Sequence, residues 1–370
     1  MKFTTNSNLL QNVIQNAYEF CSQKVSITSF VLLELKNCTL TVRSTDSKMG
    51  FSSKINVIGE EDGILTISCD KFLNLIKAFS NENIIFEKFD NEYISLKSEN
   101  KASSFKLRYN SASSFPEKES IDVKEHIDIN GKTLLSMIEQ SIISVNETNL
   151  DNDVKVVFNG VLLETEGNII KMISTDGKSM SFDETELSSQ SPEDYRNIII
   201  PSKFLRLTSR IVKPESSIKL YINDTKVFIK TEDTTIFTNL YKGVYPNYRK
   251  VLDTILDKNI IVKKEDLSSS LKRVSIMTDN ISKKLYFTIE NNAVKIDASD
   301  NEFGSASDEI ETTYEGEKVQ FAINSNYITN QVKVINSDFI KIEFKDANTQ
   351  VRLCPTNEEK YLHIIMPMSL

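Results

Sequence analysis

One pattern recurs three times along the 370 residues, and a repeat of this length constrains the fold more than any single motif. Residues 30–46 read FVLLELKNCTLTVRSTD, 160–176 read GVLLETEGNIIKMISTD and 285–300 read LYFTIENNAVKIDASD. An apolar, turn, apolar, (S/A)-(T/S)-Asp pattern thus returns after 130 and then 124 residues. A second block keeps the register: Lys71-Phe72-Leu73-Asn74-Leu75, Lys203-Phe204-Leu205-Arg206-Leu207, then Asn326-Tyr327-Ile328. Each copy closes on Phe115-Pro116, Tyr245-Pro246 or Met366-Pro367. Three copies of one domain follow, with boundaries near 126 and 256, giving domains 1–126, 127–256 and 257–370.

Inside a copy the pattern returns at half the length. In the first, a short strand over 2–4 leads to a helix over about 6–24 and three alternating runs; a strand over 64–68, a helix over 70–79 and three more runs follow. Alternation such as Ile218-Lys219-Leu220-Tyr221-Ile222 sends every second side chain to one face. Each domain is therefore read as two β-α-β-β-β units, an α+β domain with mainly antiparallel sheets and both helices on one side.

Composition narrows the chemistry. No run of about 18 apolar residues exists to span a bilayer, and the start lacks the apolar core of a secretion signal. Cys21, Cys38, Cys69 and Cys354 lie far apart with no C-x-x-C pair, which predicts reduced thiols and a cytoplasmic chain. Ten glycines and two histidines, His126 and His363, leave little for cofactor loops or metal sites. Gly131-Lys132-Thr133 and Gly177-Lys178-Ser179 imitate a phosphate loop but lack its first glycine, where His126 and Met172 stand. Asn130 reads instead as a helix N-cap and Asp176-Gly177 as a hairpin turn. The recurring Asp46, Asp176 and Asp300 read as strand-end carboxylates that accept backbone N–H bonds. His363 lies in an apolar run with no Ser or Cys arranged beside it for nucleophilic catalysis. No catalytic residue, metal or cofactor is predicted.

The six helices, read at 6–24, 70–80, 130–145, 202–213, 263–277 and 324–336, hold 13 Lys/Arg against 5 Asp/Glu in a chain of net charge −8. In the fourth, Lys203, Arg206, Arg210 and Lys213 form one stripe, while Phe204, Leu207 and Ile211 form another against the sheet. The basic set expected to face outward is Lys24, Lys71, Lys77, Lys203, Arg206, Arg210, Lys213, Lys272, Arg273 and Lys333. On one helix such a stripe is ordinarily a solvated face. On six it suits phosphate contact, and the lack of interleaved aromatics suits binding that ignores base sequence and weakens with salt. Six helices about 10 Å apart close a circle only about 9 Å clear, whereas twelve from two chains leave roughly 28 Å, against the 20 Å or so that a duplex needs.

At these residues the chain resembles a known family, the bacterial DNA polymerase III beta subunit, or sliding clamp, over its whole length. The marks are the Met1-Lys2-Phe3 start, Asn159-Gly160-Val161-Leu162 followed by Ser174-Thr175-Asp176-Gly177, the run Tyr245-Pro246-Asn247-Tyr248-Arg249-Lys250-Val251-Leu252, and the ending Ile365-Met366-Pro367-Met368-Ser369-Leu370. The resemblance implies a head-to-tail homodimeric ring, its helices lining the inside, that encircles double-stranded DNA. Its implied partners are the replicative DNA polymerase, a clamp loader, and other DNA polymerases and repair proteins that dock through short peptide motifs, with no membrane partner. It also implies a peptide cleft between the second and third domains, formed by Phe158, Thr175, Gly177, Lys178, Met180, Pro246, Lys250, Val251, Ile281, Asn324, Tyr327, Ile364, Ile365, Met366, Pro367, Met368 and Leu370. The subunit contact it implies pairs Phe105 and Leu107 with Ile276 and Met277.

Two departures bear on the cleft: Lys178-Ser179-Met180 stands where the family commonly has His-Arg-Leu, and Ser369 replaces a frequent Arg, which removes cationic donors. Without the resemblance, the carboxy-terminal run reads as an ordinary edge strand. The alternative function is a non-catalytic scaffold that does not encircle DNA; an enzyme of unknown type is a more distant reading.

Overall fold

The computed structural model describes residues 1–24, 26–100, 103–146, 156–188, 195–301, 304–357 and 360–370, with the backbone alone at 195, 196, 300 and 301. The first copy runs β1 (Lys2–Asn6), α1 (Ser7–Tyr18), β2 (Phe30–Lys36), β3 (Thr39–Thr45), β4 (Met49–Asn56), β5 (Ile58–Glu61), β6 (Gly63–Ser68), α2 (Cys69–Lys77), β7 (Asn83–Lys88), β8 (Tyr93–Ser98) and β9 (Ser104–Asn110). The second runs β10 (Ile127–Asn130), α3 (Gly131–Ser141), β11 (Gly160–Glu166), β12 (Ile169–Thr175), β13 (Ser179–Glu186), β14 (Tyr195–Pro201), α4 (Ser202–Ile211), β15 (Ser217–Ile222), β16 (Lys226–Lys230) and β17 (Thr234–Asn239). After α5 (Arg249–Leu252), the third runs β18 (Lys258–Lys263), α6 (Lys264–Val274), β19 (Lys284–Glu290), β20 (Ala293–Asn301), β21 (Gly304–Glu311), β22 (Val319–Asn324), α7 (Ser325–Val334), β23 (Phe339–Phe344), β24 (Val351–Pro355) and β25 (Tyr361–Ile365).

The β-α-β-β-β unit is thus built six times, in three α+β copies. The sequence pattern missed β5 and α5, each four residues long and too short to display a period. Helix α1 ends at Tyr18, so Lys24 lies beyond the helix expected to carry it, exposed in a bend.

Local chemistry sets the helix starts. Asn6 caps α1, its side chain accepting from Asn8 N at 2.9 Å, and Asn324 caps α7 through Asn326 N at 2.9 Å. In α6, Glu265 and Asp266 occupy the first turn and Lys272 and Arg273 the last, complementing the helix dipole. In the strands, alternation decides facing: Ile218, Leu220 and Ile222 are buried on β15 while Ser217 and Lys219 are exposed.

The chain forms two compact units, Met1–Lys132 with Leu207–Leu240 and Thr133–Arg206 with Tyr241–Leu370, so the middle copy is divided between them. The first unit holds a 13-stranded sheet in the order β10-β15-β16-β17-β4-β3-β2-β6-β9-β8-β7-β1-β5, in which the antiparallel pair β17–β4 joins two copies. Phe3 stacks on Phe86 with ring centres 4.8 Å apart, and Phe72 meets Phe86 edge-on; burying each ring contributes about 1.5–3 kcal/mol.

The second unit holds an eight-stranded sheet, β14-β11-β12-β13-β25-β24-β23-β18, and a four-stranded one, β21-β20-β19-β22. Here β13–β25 joins two copies. This corrects the edge-strand reading of the carboxy terminus: β25 lies between β13 and β24, with His363, Ile364 and Ile365 all buried. A strand with ladders on both sides and consecutive buried residues is an interior strand, which a continuous apolar run also encodes.

Candidate functional site

The site lies in the second unit and starts from the β12–β13 turn. Asp176 Oδ1 accepts from Lys178 N at 2.9 Å and Ser179 N at 2.7 Å, and Gly177 takes φ +86°, a left-handed conformation that glycine adopts without strain. Asp46 closes the matching turn of the first copy through Lys48 N and Met49 N, whereas the Asp300 side chain lies outside the described residues. The turn leaves Gly177 and Lys178 exposed and buries Thr175, whose N–H donates to Tyr245 Oη at 3.1 Å and whose hydroxyl donates to Ser179 O at 2.7 Å.

The tail is tied down beyond β25. Met366 N donates to Lys178 O and Met368 N to Ala322 O on β22, both at 2.8 Å, and Lys284 Nζ donates to Ser369 O at 2.7 Å. Met366 and Leu370 remain 45% and 58% exposed, while Pro367 and Met368 are half-buried. Beneath them Met180 and Ile364, paired across β13 and β25, belong to one apolar cluster with Phe182, Tyr245 and Tyr248, and Phe158, Val251 and Leu362 pack on its margin.

The third wall is the segment after Tyr245. Glu164, almost fully buried on β11, accepts from Tyr248 Oη and from Arg249 Nη2, the latter at 3.0 Å, which holds the short α5 turn in place. Gln350 Nε2 donates to Val251 O at 2.7 Å and Arg352 Nη2 to Leu252 O at 2.8 Å. A cavity of about 360 Å³ opens here beside Leu162, Tyr245, Pro246 and Lys250. Tyr327 on α7 faces the turn: burial first, then its hydrogen bond with the Asp176 carboxylate, pushes its phenol up to about 12, so it stays protonated.

The structure therefore brings together Phe158, Thr175, Met180, Pro246, Val251, Tyr327 and the tail from Ile364, with Gly177, Lys178 and Lys250 exposed at the rim. Asn324 serves as a cap, its Nδ2 also donating to Ser282 O at 2.9 Å. Ile281 is 96% exposed in a turn. Sequence reading did not assign Tyr245, Gln350 and Leu362 to the site. Tyr245 precedes the Pro246 that it did assign, whereas Gln350 stands about 100 residues from the carbonyl it meets and offers no local signal.

His363 has serine neighbours in space, though not ones open to a substrate: Nδ1 lies 2.9 Å from Ser181 Oγ, and Ser181 Oγ lies 2.8 Å from Ser144 Oγ. Nε2 lies 3.1 Å from Gln140 Oε1, and Gln140 Nε2 donates to Val334 O at 2.7 Å. All four side chains are buried, and burial pushes the imidazole down to about 3. The network is sealed from any substrate. No group of three His, Cys, Asp or Glu able to hold a metal occurs among the described residues.

Of the basic set, Lys24, Lys71, Lys77, Lys203, Arg210, Lys213, Lys272, Arg273 and Lys333 are exposed. Arg206 is not: it is half-buried and donates to Ile142 O at 3.4 Å. Two of the others are partly neutralised, Arg273 by Asp308, with Nε donating to Oδ2 at 2.9 Å, and Arg210 by Glu19 at 3.8 Å. The buried face of α4 also differs from the expected stripe, since Phe204, Leu205, Leu207 and Thr208 are buried whereas Ile211 is half-exposed.

Of the residues implied for the subunit contact, Ile276 and Met277 sit not on a strand but in the 3₁₀ turn Ser275–Met277 after α6, Ile276 77% exposed. The sheet edge belongs to β21, against whose first residue Met277 packs. Phe105 and Leu107 do lie on a strand, β9.

Three copies of a two-helix domain, joined through shared antiparallel ladders, define the sliding-clamp class of fold. Family models for the N-terminal, central and C-terminal domains of the DNA polymerase III beta subunit match residues 1–119, 128–247 and 249–369. The chain belongs to this family, and its function is that of a DNA sliding clamp in DNA replication, which sets aside the scaffold reading. It is 30% identical to the beta sliding clamp of Treponema pallidum over 375 residues, covering 100% of this chain and 99% of that one. In fold it is similar to the Pseudomonas aeruginosa sliding clamp bound to griselimycin (TM-score 0.93, 20% identity, 100% of both chains). It is likewise similar to the Helicobacter pylori beta clamp bound to a DNA ligase peptide (TM-score 0.89, 24% identity, 100% of both chains). No helix among the described residues is long and apolar enough to cross a membrane.

Proposed function

We propose that the chain works as a non-catalytic homodimer without cofactor, three domains per chain at 1–126, 127–256 and 257–370, closed head to tail into a ring around duplex DNA. Held by topology, the ring slides without sequence preference and tethers the replicative polymerase in the cytoplasm. The clamp loader, other DNA polymerases and repair proteins dock by short peptides between Met180, Pro246, Val251 and the tail Ile364 to Leu370.

The observation that carries the ring reading is a pair of open sheet edges. Strand β9 pairs with β6 only at Tyr109 and Asn110, which leaves the outer side of 104–108 without a ladder there, and β21 is the outermost strand of its sheet. The first edge carries Lys106 and an Arg108 that is ion-paired to Glu92, the second Glu309 and Glu311 beside an Asp308 that is ion-paired to Arg273. Edges of opposite charge favour pairing of β9 in one copy with β21 in the next, and a heterologous contact that closes after two copies covers all of them. Phe105 and Leu107 would then meet Ile276 and Met277 beside that seam.

For peptide docking, flexible methionines on an apolar floor suit short segments of varied sequence, and the Helicobacter pylori relative with its ligase peptide supports the same use. The experiment is retention on DNA. The loaded protein should stay on closed circular DNA and run off after linearisation, and should scatter light as a dimer. Equal retention on both forms, or a monomer at micromolar concentration, would overturn the ring.

A further inference from the structure

The two ladders that join copies are built alike. In the second unit Met180 pairs with Ile364 and Ser181 with His363; in the first unit, 130 positions earlier, Gly50 pairs with Phe237 and Phe51 with Ile236. The bond at the end of each ladder repeats as well, Met366 N to Lys178 O and Asn239 N to Lys48 O, both 2.8 Å. Thr45 and Thr175 each donate their hydroxyl across the turn at 2.7 Å, to Met49 O and Ser179 O. Phe115-Pro116 stands where Tyr245-Pro246 stands. The β4–β17 junction is thus a structural twin of the candidate peptide cleft, lying wholly within the first unit.

The side chains of the twin differ, and they leave a pocket. Phe237 lies over Gly50 so closely that a Cβ there would come within 2.1 Å of the ring, which floors the site with an aromatic face where the other junction has Met180. Phe115 lacks the hydroxyl by which Tyr245 ties its segment to the sheet. Arg43 takes that task, lying 5.8 Å over the Phe115 ring and donating from Nη2 to Pro116 O at 3.1 Å. A cavity of about 170 Å³ remains between Arg43, Phe115, Pro116, Lys118, Phe228 and Phe237. A protein cavity of about 150 Å³ already admits benzene, so one leucine or phenylalanine side chain fits.

The charge at its wall is incompletely answered. Arg43 is half-buried, and desolvation holds its guanidinium below the usual range. Its hydrogen bond among the described residues goes to a neutral carbonyl, and Lys118 adds an exposed cation at the rim. Of the carboxylates nearby, Glu34 attracts the charge without outweighing the desolvation, Glu119 is bound to Lys226, and Glu117 is solvent-exposed. A carboxylate brought by a ligand would form the charge-assisted bonds that the carbonyl cannot supply.

We propose that this pocket is a second peptide-docking site, which takes a short extended segment carrying a leucine or aromatic side chain next to a carboxylate. The assignment of a peptide as occupant rests on the peptide-cleft reading of the twin junction. The test titrates the full-length protein calorimetrically with the synthetic peptide acetyl-Gly-Asp-Leu-Phe-Asp-Gly-amide. Wild type should bind two peptides per chain; Met366→Ala with Met368→Ala should leave one, and Arg43→Gln should leave the other. Because Arg43 also anchors its segment, Lys118→Glu, on an exposed side chain, serves as a second variant and should weaken the pocket site about two- to fivefold. One site per chain, lost with the two methionines and indifferent to both pocket variants, overturns the pocket and leaves the cleft standing. One site kept without the methionines but lost in Arg43→Gln does the reverse. No binding at millimolar peptide overturns the pocket.

Discussion

His363 Nδ1 and Ser181 Oγ lie 2.9 Å apart, and neither residue has any surface exposed to solvent. Because Gln140 Nε2 donates to Val334 O, its Oε1 must accept from His363 Nε2–H, which leaves Nδ1 to accept from Ser181. A neutral imidazole in one tautomer thus ties β25 to β13 and to α3. Replacing His363 by Leu leaves Gln140 Oε1 buried without its donor and should cost about 1–3 kcal/mol in urea denaturation. Burial lowers the folded-state value to about 3 from 6.5, so between those values the unfolded chain takes up a proton that the folded chain refuses. Stability should therefore fall as pH drops from about 6.5 toward 3, and His363→Leu should flatten that slope. An unchanged slope would mean that other groups govern it.

At the other junction, Gly50→Ala places a methyl against the Phe237 ring and should destabilise by about 1–3 kcal/mol, the usual range for overpacking. Combined with Phe237→Ala, which removes the ring, the loss should be less than the sum of the two separate values. Independent, additive effects in the double variant would show that the two positions do not touch.

Truncating Met366 and Met368 to Ala should weaken a polymerase-derived peptide by about 1–3 kcal/mol, since central anchors carry most of such an interface. Deleting Ser369 and Leu370 also removes the bond from Lys284 and should act in the same direction. Light scattering should still give a dimer, because these contacts lie within one unit. Equal titration curves for wild type and variant would move the peptide site elsewhere.

DNA contact should depend on the exposed cations. Lys203→Glu, Arg210→Glu and Lys213→Glu should reduce loading on every sequence alike and flatten the salt dependence, with folding retained. Arg206→Glu should instead also lower the melting temperature, since that guanidinium is half-buried and bonded to Ile142 O. Footprints confined to a preferred base sequence would defeat the phosphate reading.

The threefold repeat, the β-α-β-β-β order and the role of Asp46 and Asp176 as turn closers were legible in the chain alone. Periodicity reports which side chains share a face, and an Asx turn is completed within three residues. The basic character of the helices was legible too, because charge is a property of composition. What the sequence left open is which strand meets which. Backbone ladders are the same for every residue type, so the apolar run Tyr361 to Ile365 is compatible with an interior strand but does not name β13 and β24 as its neighbours. The same holds for His363, whose serine stands 182 residues away, and for Arg206, which a helical wheel turns outward and a neighbouring carbonyl draws in. Only tertiary packing decided these, because burial and hydrogen-bond satisfaction are set by neighbours that local spacing cannot name.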